Sequence, residues 1–275
     1  INLDGQIIFE SNLYDDENNF IHFHHSVDKT ENNTYFGIIK KNEVHLCPSE
    51  DCQELVEILF PTGVIWKGDS IVELDESGNI IWEWSLFDRI GVDNYNPWYT
   101  YNLGPGNDYS VDWTHTNEVL FDNNSNSVFI SIRNLNTITK INYESKDIIW
   151  HLGDLDTLNN NAYFNQHPSF NHQHSPIFKE NGNLMVFNNG SFDNNGDFYG
   201  VSSCQEYAVD EINGNISLVW EYILSDTLYT GARGECIPLK NGNVLIETGQ
   251  TANFIELNSN NEIVWHGIVK STLGA

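Results

Sequence analysis

Three histidines of this sequence hold matching places in segments that lie far apart along the chain. His25 and His174 each stand nine residues before the equivalent position of an Asn-rich turn, and His115 precedes a similar, longer turn. The corresponding place in the last such segment is Gly234, so the pattern itself does not require histidine. A shared place in repeated segments predicts that the three imidazoles belong to one site.

These residue types can carry out two kinds of chemistry. Imidazoles titrate near neutral pH and can act as nucleophiles or as acids and bases, and three of them can also bind zinc. Arg133 follows His115 across the next turn, and we expect it on the adjacent strand, where its planar donors would suit sulfate or phosphate oxygens. A cation beside the imidazoles disfavours a metal, so the set predicts a site for an oxyanion ester.

Repeated β-hairpins are the elements that would position these side chains. Each has a β-rich run, a turn of Asn, Gly or Asp, and a second β-rich run that ends on an aromatic residue. They occupy residues 1–9, 71–82, 139–150, 207–220 and 254–265, and hairpins of a second type occupy residues 175–187 and 236–247. Tandem hairpins of this kind make four-stranded sheets, which are propeller blades when they repeat every 40–50 residues or so.

The sequence therefore predicts an all-β fold, a six-bladed β-propeller with four-stranded antiparallel blades, or alternatively five blades. One catalytic domain would span residues 1–275, and the N-terminal strands would close the ring and remove exposed edges. The first strand of each blade lines the central channel, so we expect His25, His115 and His174 to converge at one mouth of it.

The charge of the chain excludes several classes of partner. Lys and Arg number 12 against 39 Asp and Glu, which gives a formal net charge of −27. Such a surface repels nucleic acid and anionic membranes. No apolar run approaches the roughly 20 residues of a membrane span.

The four cysteines indicate an oxidising compartment. Cys47 and Cys52 could close a short loop and Cys204 and Cys236 could form a second bridge, although four cysteines allow other pairings. We expect a secreted or periplasmic protein. The chain begins with Ile and shows no signal peptide, so we expect a processed or trimmed form without its export signal.

Several segments together resemble the bacterial arylsulfate sulfotransferases, over roughly residues 20 to 250. The segment from Asp112 to Asn117 resembles their DWxHxN motif, and the strand ending at Arg133-Asn134 resembles their SxRN strand. Further similarity lies in Trp150-His-Leu-Gly153, in Gln173-His174 with the later Asn181-Gly-Asn183 and Phe187-Asn-Asn-Gly190, and in His24-His25. Asn188 stands where the family usually has Asp.

The resemblance implies a six-bladed propeller that transfers a sulfuryl group from an aryl sulfate donor to a phenolic acceptor, without a nucleotide sulfate donor and without a cofactor or metal. The absence of a P-loop from the sequence agrees with this. His174 would be the nucleophile that forms a transient sulfohistidine, His115 and His25 would handle protons, and Arg133 would hold sulfate oxygens.

Asn117 and His24 are candidate substrate-binding residues. Trp98 and Tyr99 lie just before the DWxHxN segment and could line an aromatic substrate pocket, although ordinary packing explains them equally well. Whether His24 or His25 points into the site stays open at this stage, although the nine-residue register favours His25. The oligomeric state is open as well, with a homodimer as one option.

Two other functions are compatible with the sequence. A non-catalytic propeller could bind a ligand or partner, because propellers serve both uses. The three histidines could instead serve a metal-dependent hydrolase or lyase. The turn from Asp193 to Asp197 could bind calcium, but a solvated turn explains it as well.

Overall fold

The computed structural model of the protein describes residues 6–7, 9, 11, 13, 21–47, 63–95, 101–102, 110–154, 163–191 and 198–270. Nearly all of their regular secondary structure is strand, and the four-residue helix α1 is Leu86–Arg89. The chain divides into two compact units, residues 1–150 and residues 151–275. The all-β class is confirmed, while a single domain over residues 1–275 stays a prediction.

The first sheet of unit 1 has six strands in the order β1-β2-β3-β6-β5, with β4 paired to β3. They are β1 (Phe23–Lys29), β2 (Tyr35–His45), β3 (Val64–Leu74), β4 (Ile80–Ser85), β5 (Tyr101–Asn102) and β6 (Ser110–Asp112). Residues 70–74 of β3 pair antiparallel with β4, whereas residues 65–67 pair parallel with β6. Gly68 and Asp69 therefore stand at a fork where β3 changes neighbour.

The second sheet of unit 1 is four-stranded and antiparallel, in the order β10-β9-β8-β7. Its strands are β7 (Thr116–Asp122), β8 (Ser127–Ile132), β9 (Thr137–Asn142) and β10 (Ile148–Gly153). Trp82 of β4 stacks on Tyr143 with ring centroids 5.7 Å apart, and its indole N–H donates to the Tyr143 carbonyl at 2.8 Å. Trp82, the buried aromatic residue that ends the hairpin of the first sheet, thus connects the first sheet to the second.

The described residues of unit 2 form two four-stranded antiparallel sheets. One has the order β11-β12-β13-β14, with β11 (His174–Phe178), β12 (Leu184–Asn188), β13 (Ser203–Asp210) and β14 (Asn215–Ile223). The other has the order β15-β16-β17-β18, with β15 (Glu235–Pro238), β16 (Val244–Glu247), β17 (Asn253–Leu257) and β18 (Ile263–Ile268).

The predicted disulfide between Cys204 and Cys236 is confirmed, and it joins β13 to β15 inside a buried apolar cluster with Met185 and Phe187. The other predicted bridge involves Cys52, which lies outside the described residues.

The four-stranded antiparallel repeat is confirmed in three of the four described sheets. The first sheet departs from it because β5 and β6 extend the edge next to β3. The number of blades and the closure of a ring stay predictions, as does the part of the N-terminal strands in that closure. The described residues include no helix with the length and apolar composition of a membrane span.

Candidate functional site

Unit 1 contains a polar cavity of about 220 Å³ at the fork in β3. It is lined by His24, His25, Lys40, Lys67, Gly68, Asp69, Asp112 and His115. The rings of His25 and His115 meet edge to face with centroids 5.0 Å apart, and those of His24 and His25 lie 4.9 Å apart. The predicted meeting of His25 with His115 is therefore found, and His24 lines the same cavity.

Irregular backbone brings adjacent histidines to one side of β1. Side chains of successive strand residues normally point to opposite faces. Here the pairing of β1 with β2 shifts register between Phe23 and Val27, and His25 has a left-handed φ of 59°. Bulges of this kind re-aim side chains at functional sites. Both His24 and His25 can therefore line one cavity.

The strands that carry the other two histidines are also irregular. His115 has φ 49°, and β7 is bulged between Thr116 and Glu118. Strand β11 starts at His174 and shifts register before Ile177. By contrast, β15 pairs with β16 without a shift, in the repeat that lacks the histidine. Left-handed backbone nevertheless occurs at the equivalent place of that repeat, where Arg233 has φ 66° and Gly234 has φ 102°.

Asp69 is buried at the fork, with 3% of its surface exposed. Its Oδ2 accepts hydrogen bonds from the Thr114 hydroxyl and the Thr116 N–H, each at 2.7 Å, and its Oδ1 lies 3.1 Å from Nε2 of His24. Burial raises the Asp69 pKa, but the contact with His24 and these hydrogen bonds outweigh burial and leave the pKa below its usual value. Asp69 is therefore an ionised carboxylate that holds both His24 and the segment around His115.

His25 continues this chain of contacts. Its Nδ1 lies 2.6 Å from Nδ1 of His24. Burial, followed by the proximity of His115 and His24, lowers the pKa of His25 to about 4. His25 is thus a neutral imidazole at pH 7.

His115 has its own carboxylate partner. Its Nδ1 lies 2.6 Å from Oδ2 of Asp112. The Asn134 amide donates to the Asp112 carbonyl at 2.6 Å, and the main-chain N–H of Asn134 donates to the Thr114 carbonyl at 3.1 Å. The turn after β8 therefore fixes the segment that holds the Asp112–His115 pair.

Arg133 does not lie on the strand predicted for it. It is the first residue of a 3₁₀ turn, Arg133–Leu135, directly after β8. Its main-chain N–H donates to the His115 carbonyl at 3.4 Å, and the chain leaves the β-sheet at this point. Its Nη1 donates to the Asn134 side chain at 2.8 Å. Arg133 is near His115 through the backbone, but it is not among the residues that line the cavity.

Sequence reasoning missed the two lysines of the cavity, Lys40 and Lys67, and the carboxylates Asp69 and Asp112. The sequence of β3 does contain an indication of the cavity, because Lys67-Gly68-Asp69 interrupts an otherwise largely apolar strand. Glycine inside a strand often marks close approach of a ligand or another chain segment. Asp112 stands in the motif that includes His115.

His174 lies in unit 2, with 6% of its surface exposed. Its Nδ1 lies 2.6 Å from the side-chain oxygen of Asn189, and its Nε2 accepts a 3.3 Å hydrogen bond from the Arg233 N–H. The Asn189 amide nitrogen donates to the carbonyls of Thr230 and Arg233, at 2.7 and 2.8 Å. Asn189 was also missed, although it belongs to the segment Phe187-Asn-Asn-Gly190.

The remaining candidate residues divide into two groups. Asn117 is buried in β7 as the extra residue of the bulge. Trp98, Tyr99 and the turn from Asp193 to Asp197 lie outside the described residues. Within the described residues, no group of three or more His, Cys, Asp or Glu is arranged to hold a metal ion.

Comparisons with solved structures give only distant likenesses. A virginiamycin B lyase from Staphylococcus aureus is 10% identical with a TM-score of 0.43, over 89% of this chain and 69% of that one. A streptogramin B lyase is 12% identical with a TM-score of 0.41, over 86% of this chain and 60% of that one. At these scores neither likeness supports an assignment of fold or function.

Family comparison gives a far more extensive match. None of the curated proteins compared with the chain matches it. The family model described as Arylsulfotransferase (ASST) matches residues 1–271, which include both units and all the histidines described above. The chain therefore belongs to the arylsulfotransferase family.

Proposed function

We propose that this protein is an arylsulfate sulfotransferase that needs no nucleotide sulfate donor. It moves a sulfuryl group from an aryl sulfate ester to a phenol in two steps, through a sulfohistidine on His174. Family membership supports the reaction class. The hydrogen bonds of His174 are the single observation that supports the nucleophile.

Those hydrogen bonds select one tautomer of His174. The Asn189 amide nitrogen already donates to two carbonyls, so the Asn189 oxygen must face Nδ1 of His174. An amide oxygen only accepts, so Nδ1 carries the proton and Nε2 carries the lone pair. The Arg233 N–H pointing at Nε2 agrees with this. A fixed, uncharged imidazole can attack sulfur through Nε2 once the 3.3 Å hydrogen bond from the Arg233 N–H to this nitrogen is given up.

We assign the remaining roles in the reaction to groups of unit 1. We assign the proton transfers to His25 and His115, of which His115 has Asp112 as an orienting partner. Lys40 and Lys67 line the cavity, and we assign to them and to Arg133 the neutralisation of the sulfuryl oxygens. Asn117, His24, Trp98 and Tyr99 stay candidate substrate-binding residues.

The test is transfer of sulfate from 4-nitrophenyl sulfate to added phenol. His174→Ala is expected to abolish both nitrophenol release and phenyl sulfate formation. His167→Ala, at an exposed histidine of the same unit, is the matched control and should retain wild-type rates. Unchanged nitrophenol release by His174→Ala would contradict the proposal, as would failure of added phenol to be sulfated by the wild-type protein.

Metal analysis of the purified protein separates this proposal from a metal-dependent hydrolase. We expect activity to survive exhaustive chelation. Loss of activity on chelation and its return with one divalent metal would favour the hydrolase.

We also propose that the protein works outside the cytoplasm. The Cys204–Cys236 disulfide supports this, because disulfides persist in oxidising compartments. Non-reducing peptide mapping of the protein from its native host, fraction by fraction, should find the bridged peptide in the secreted or periplasmic fraction. Finding it only reduced and cytoplasmic would contradict the proposal.

A further inference from the structure

We propose that Asp69, His24 and His25 form a proton relay, in which His25 accepts the proton of the sulfuryl acceptor and His24 carries the resulting charge. His24 also lines the cavity, but in the relay it acts through His25 as a positioning residue. The identity of the acceptor as a hydroxyl compound rests on the proposed function, whereas the relay itself rests on the contacts within unit 1.

The three side chains form a continuous line of contacts. Oδ1 of Asp69 lies 3.1 Å from Nε2 of His24, and Nδ1 of His24 lies 2.6 Å from Nδ1 of His25. His25 contacts its neighbour through Nδ1, so Nε2 is the nitrogen left for a ligand in the cavity that His25 lines. The line runs from the buried carboxylate of Asp69 to His25, and all three residues line the cavity.

The positions of the protons follow from these contacts. The contact between Nε2 of His24 and Asp69 has the distance of an ion pair but not the geometry of a hydrogen bond. A lone pair on Nε2 would repel the carboxylate 3.1 Å away, so this nitrogen carries a proton. Two nitrogens 2.6 Å apart must share one proton, because two protons would clash and two lone pairs would repel. When His24 is neutral, that shared proton belongs to Nδ1 of His25. The lone pair of His25 is then on Nε2.

The environments of the two rings determine where an added positive charge resides. Burial and the neighbouring His115 and His24 lower the pKa of His25 to about 4, so His25 by itself would be a weak base at pH 7. His24, by contrast, is in direct contact with the ionised Asp69. When His25 passes a proton to His24, the positive charge lies beside the Asp69 carboxylate.

The transfer balances as follows. The acceptor O–H bond breaks as its oxygen bonds to sulfur, and the electron pair of sulfur's former bond leaves with the departing group. The hydroxyl proton moves to Nε2 of His25, and the proton on Nδ1 of His25 moves to Nδ1 of His24. His25 ends neutral as the other tautomer, and His24 ends as an imidazolium paired with Asp69. The reverse sequence returns a proton to a leaving phenolate.

Other charged groups face His25 from each neighbouring element. They are Lys40 of β2, Lys67 and Asp69 of β3, Asp112 of β6, His115 before β7, and Glu118 of β7, which accepts from the adjacent Ser26. A pH profile alone would mix their effects. The tests therefore follow acceptor acidity and the tautomers themselves.

The kinetic test compares acceptors of different acidity in wild type and His24→Gln. Glutamine can still donate to Asp69, but it cannot hold the extra proton. We expect His24→Gln to lose about 10²-fold in transfer to weakly acidic phenols, the usual size of a general-base contribution, and little with phenols already ionised at the assay pH. Equal losses for all acceptors would indicate a structural role and overturn the relay.

The matched control is His45→Gln. His45 lies on β2 of the same sheet, and its Nε2 contacts Glu43 at 2.9 Å, so it is a carboxylate-paired histidine outside the cavity. The transfer rate of this variant should depend on acceptor acidity in the same way as that of the wild type. If the transfer rate of His45→Gln depended on acceptor acidity as steeply as that of His24→Gln, the relay would also be overturned.

The direct test is ¹⁵N NMR of the histidine rings in the wild-type chain, assigned with His24→Gln and His25→Gln. It needs no sulfuryl transfer, so it decides the relay even if the proposed function fails. At high pH we expect His25 with its proton on Nδ1 and His24 with its proton on Nε2. When a proton is added to this pair of rings, the His25 proton should shift from Nδ1 to Nε2. An imidazolium forming first on His25, or His25 protonated on Nε2 at high pH, would overturn the proposal.

Discussion

The side-chain oxygen of Asn189 lies 2.6 Å from Nδ1 of His174, while the amide nitrogen of Asn189 is held by the carbonyls of Thr230 and Arg233. One asparagine thus fixes both the orientation and the tautomer of this imidazole. Replacing it with leucine keeps a similar volume and removes all three contacts. We expect Asn189→Leu to lower kcat roughly 10- to 100-fold, the cost of a misoriented reacting group.

Asn260→Leu is the control for this prediction, because Asn260 is exposed in a turn of the same unit. Steady-state kinetics with 4-nitrophenyl sulfate, with circular dichroism to check the fold, provide the measurement. Wild-type kcat in Asn189→Leu would show that His174 does not depend on this contact.

Asp112 is expected to affect kcat through its contact with His115. Its Oδ2 holds Nδ1 of His115 at 2.6 Å, so the carboxylate selects the tautomer with a proton on Nδ1. Asp112→Asn can present an N–H there instead and favour the wrong tautomer. We expect kcat to fall about 10²-fold or more with the fold retained. Asp88→Asn, at an exposed position of α1, should leave kcat unchanged, and equal kcat in both variants would refute this role.

Arg133 and Lys67 provide a test of where positive charge acts. Lys67 lines the cavity, whereas Arg133 begins the turn after β8 and contacts Asn134. We expect Lys67→Met and Arg133→Ala each to lower kcat/KM about tenfold or more, because each removes a charge that can stabilise developing negative charge. Loss of cooperative unfolding in Arg133→Ala would show instead that Arg133 is structural.

The depressed pKa of His25 predicts a dependence of stability on pH. An unfolded histidine titrates near 6.5, whereas burial and neighbouring histidines lower the folded pKa of His25 to about 4. Between these values the unfolded chain binds a proton that the native chain does not. The free energy of unfolding should therefore fall as the pH drops from about 6.5 to about 4.

Urea unfolding at pH 7 and pH 4.5 measures this effect by comparing wild type with His25→Gln. We expect the variant to lose less stability over the interval than the wild type does. An identical loss in both proteins would contradict the assignment of the lowered pKa to His25.

Much of the fold was predictable because local signals determine hairpins. Turn residues such as Asn213-Gly214 and the alternation of apolar residues specify where a chain reverses, and β13 and β14 pair across that turn. The sequence did not predict the parallel pairing of β6 with β3. This contact pairs Ile65 with Ser110, which lie far apart along the chain, so no local turn signal predicts it.

The candidate site was predictable to a similar extent. The repeat register predicted that His25, His115 and His174 converge. The structure shows His25 in contact with His115, while the meeting of His174 with them stays a prediction. Asp69 could not be found in this way, since its role depends on a fork between two strand partners. A prediction from the repeat register also assumes that each strand is regular. It therefore could not predict that a left-handed residue lets His24 join the same cavity.

The central claim is that His174 carries the sulfuryl group. The most direct test mixes the protein with an aryl sulfate in the absence of acceptor, followed by rapid quenching at alkaline pH, proteolysis and mass spectrometry. We predict a sulfated peptide with the modification on His174, formed together with a burst of phenol and lost when acceptor is added before the quench. Sulfation of another residue, or a burst of phenol without any sulfated peptide, would contradict the claim.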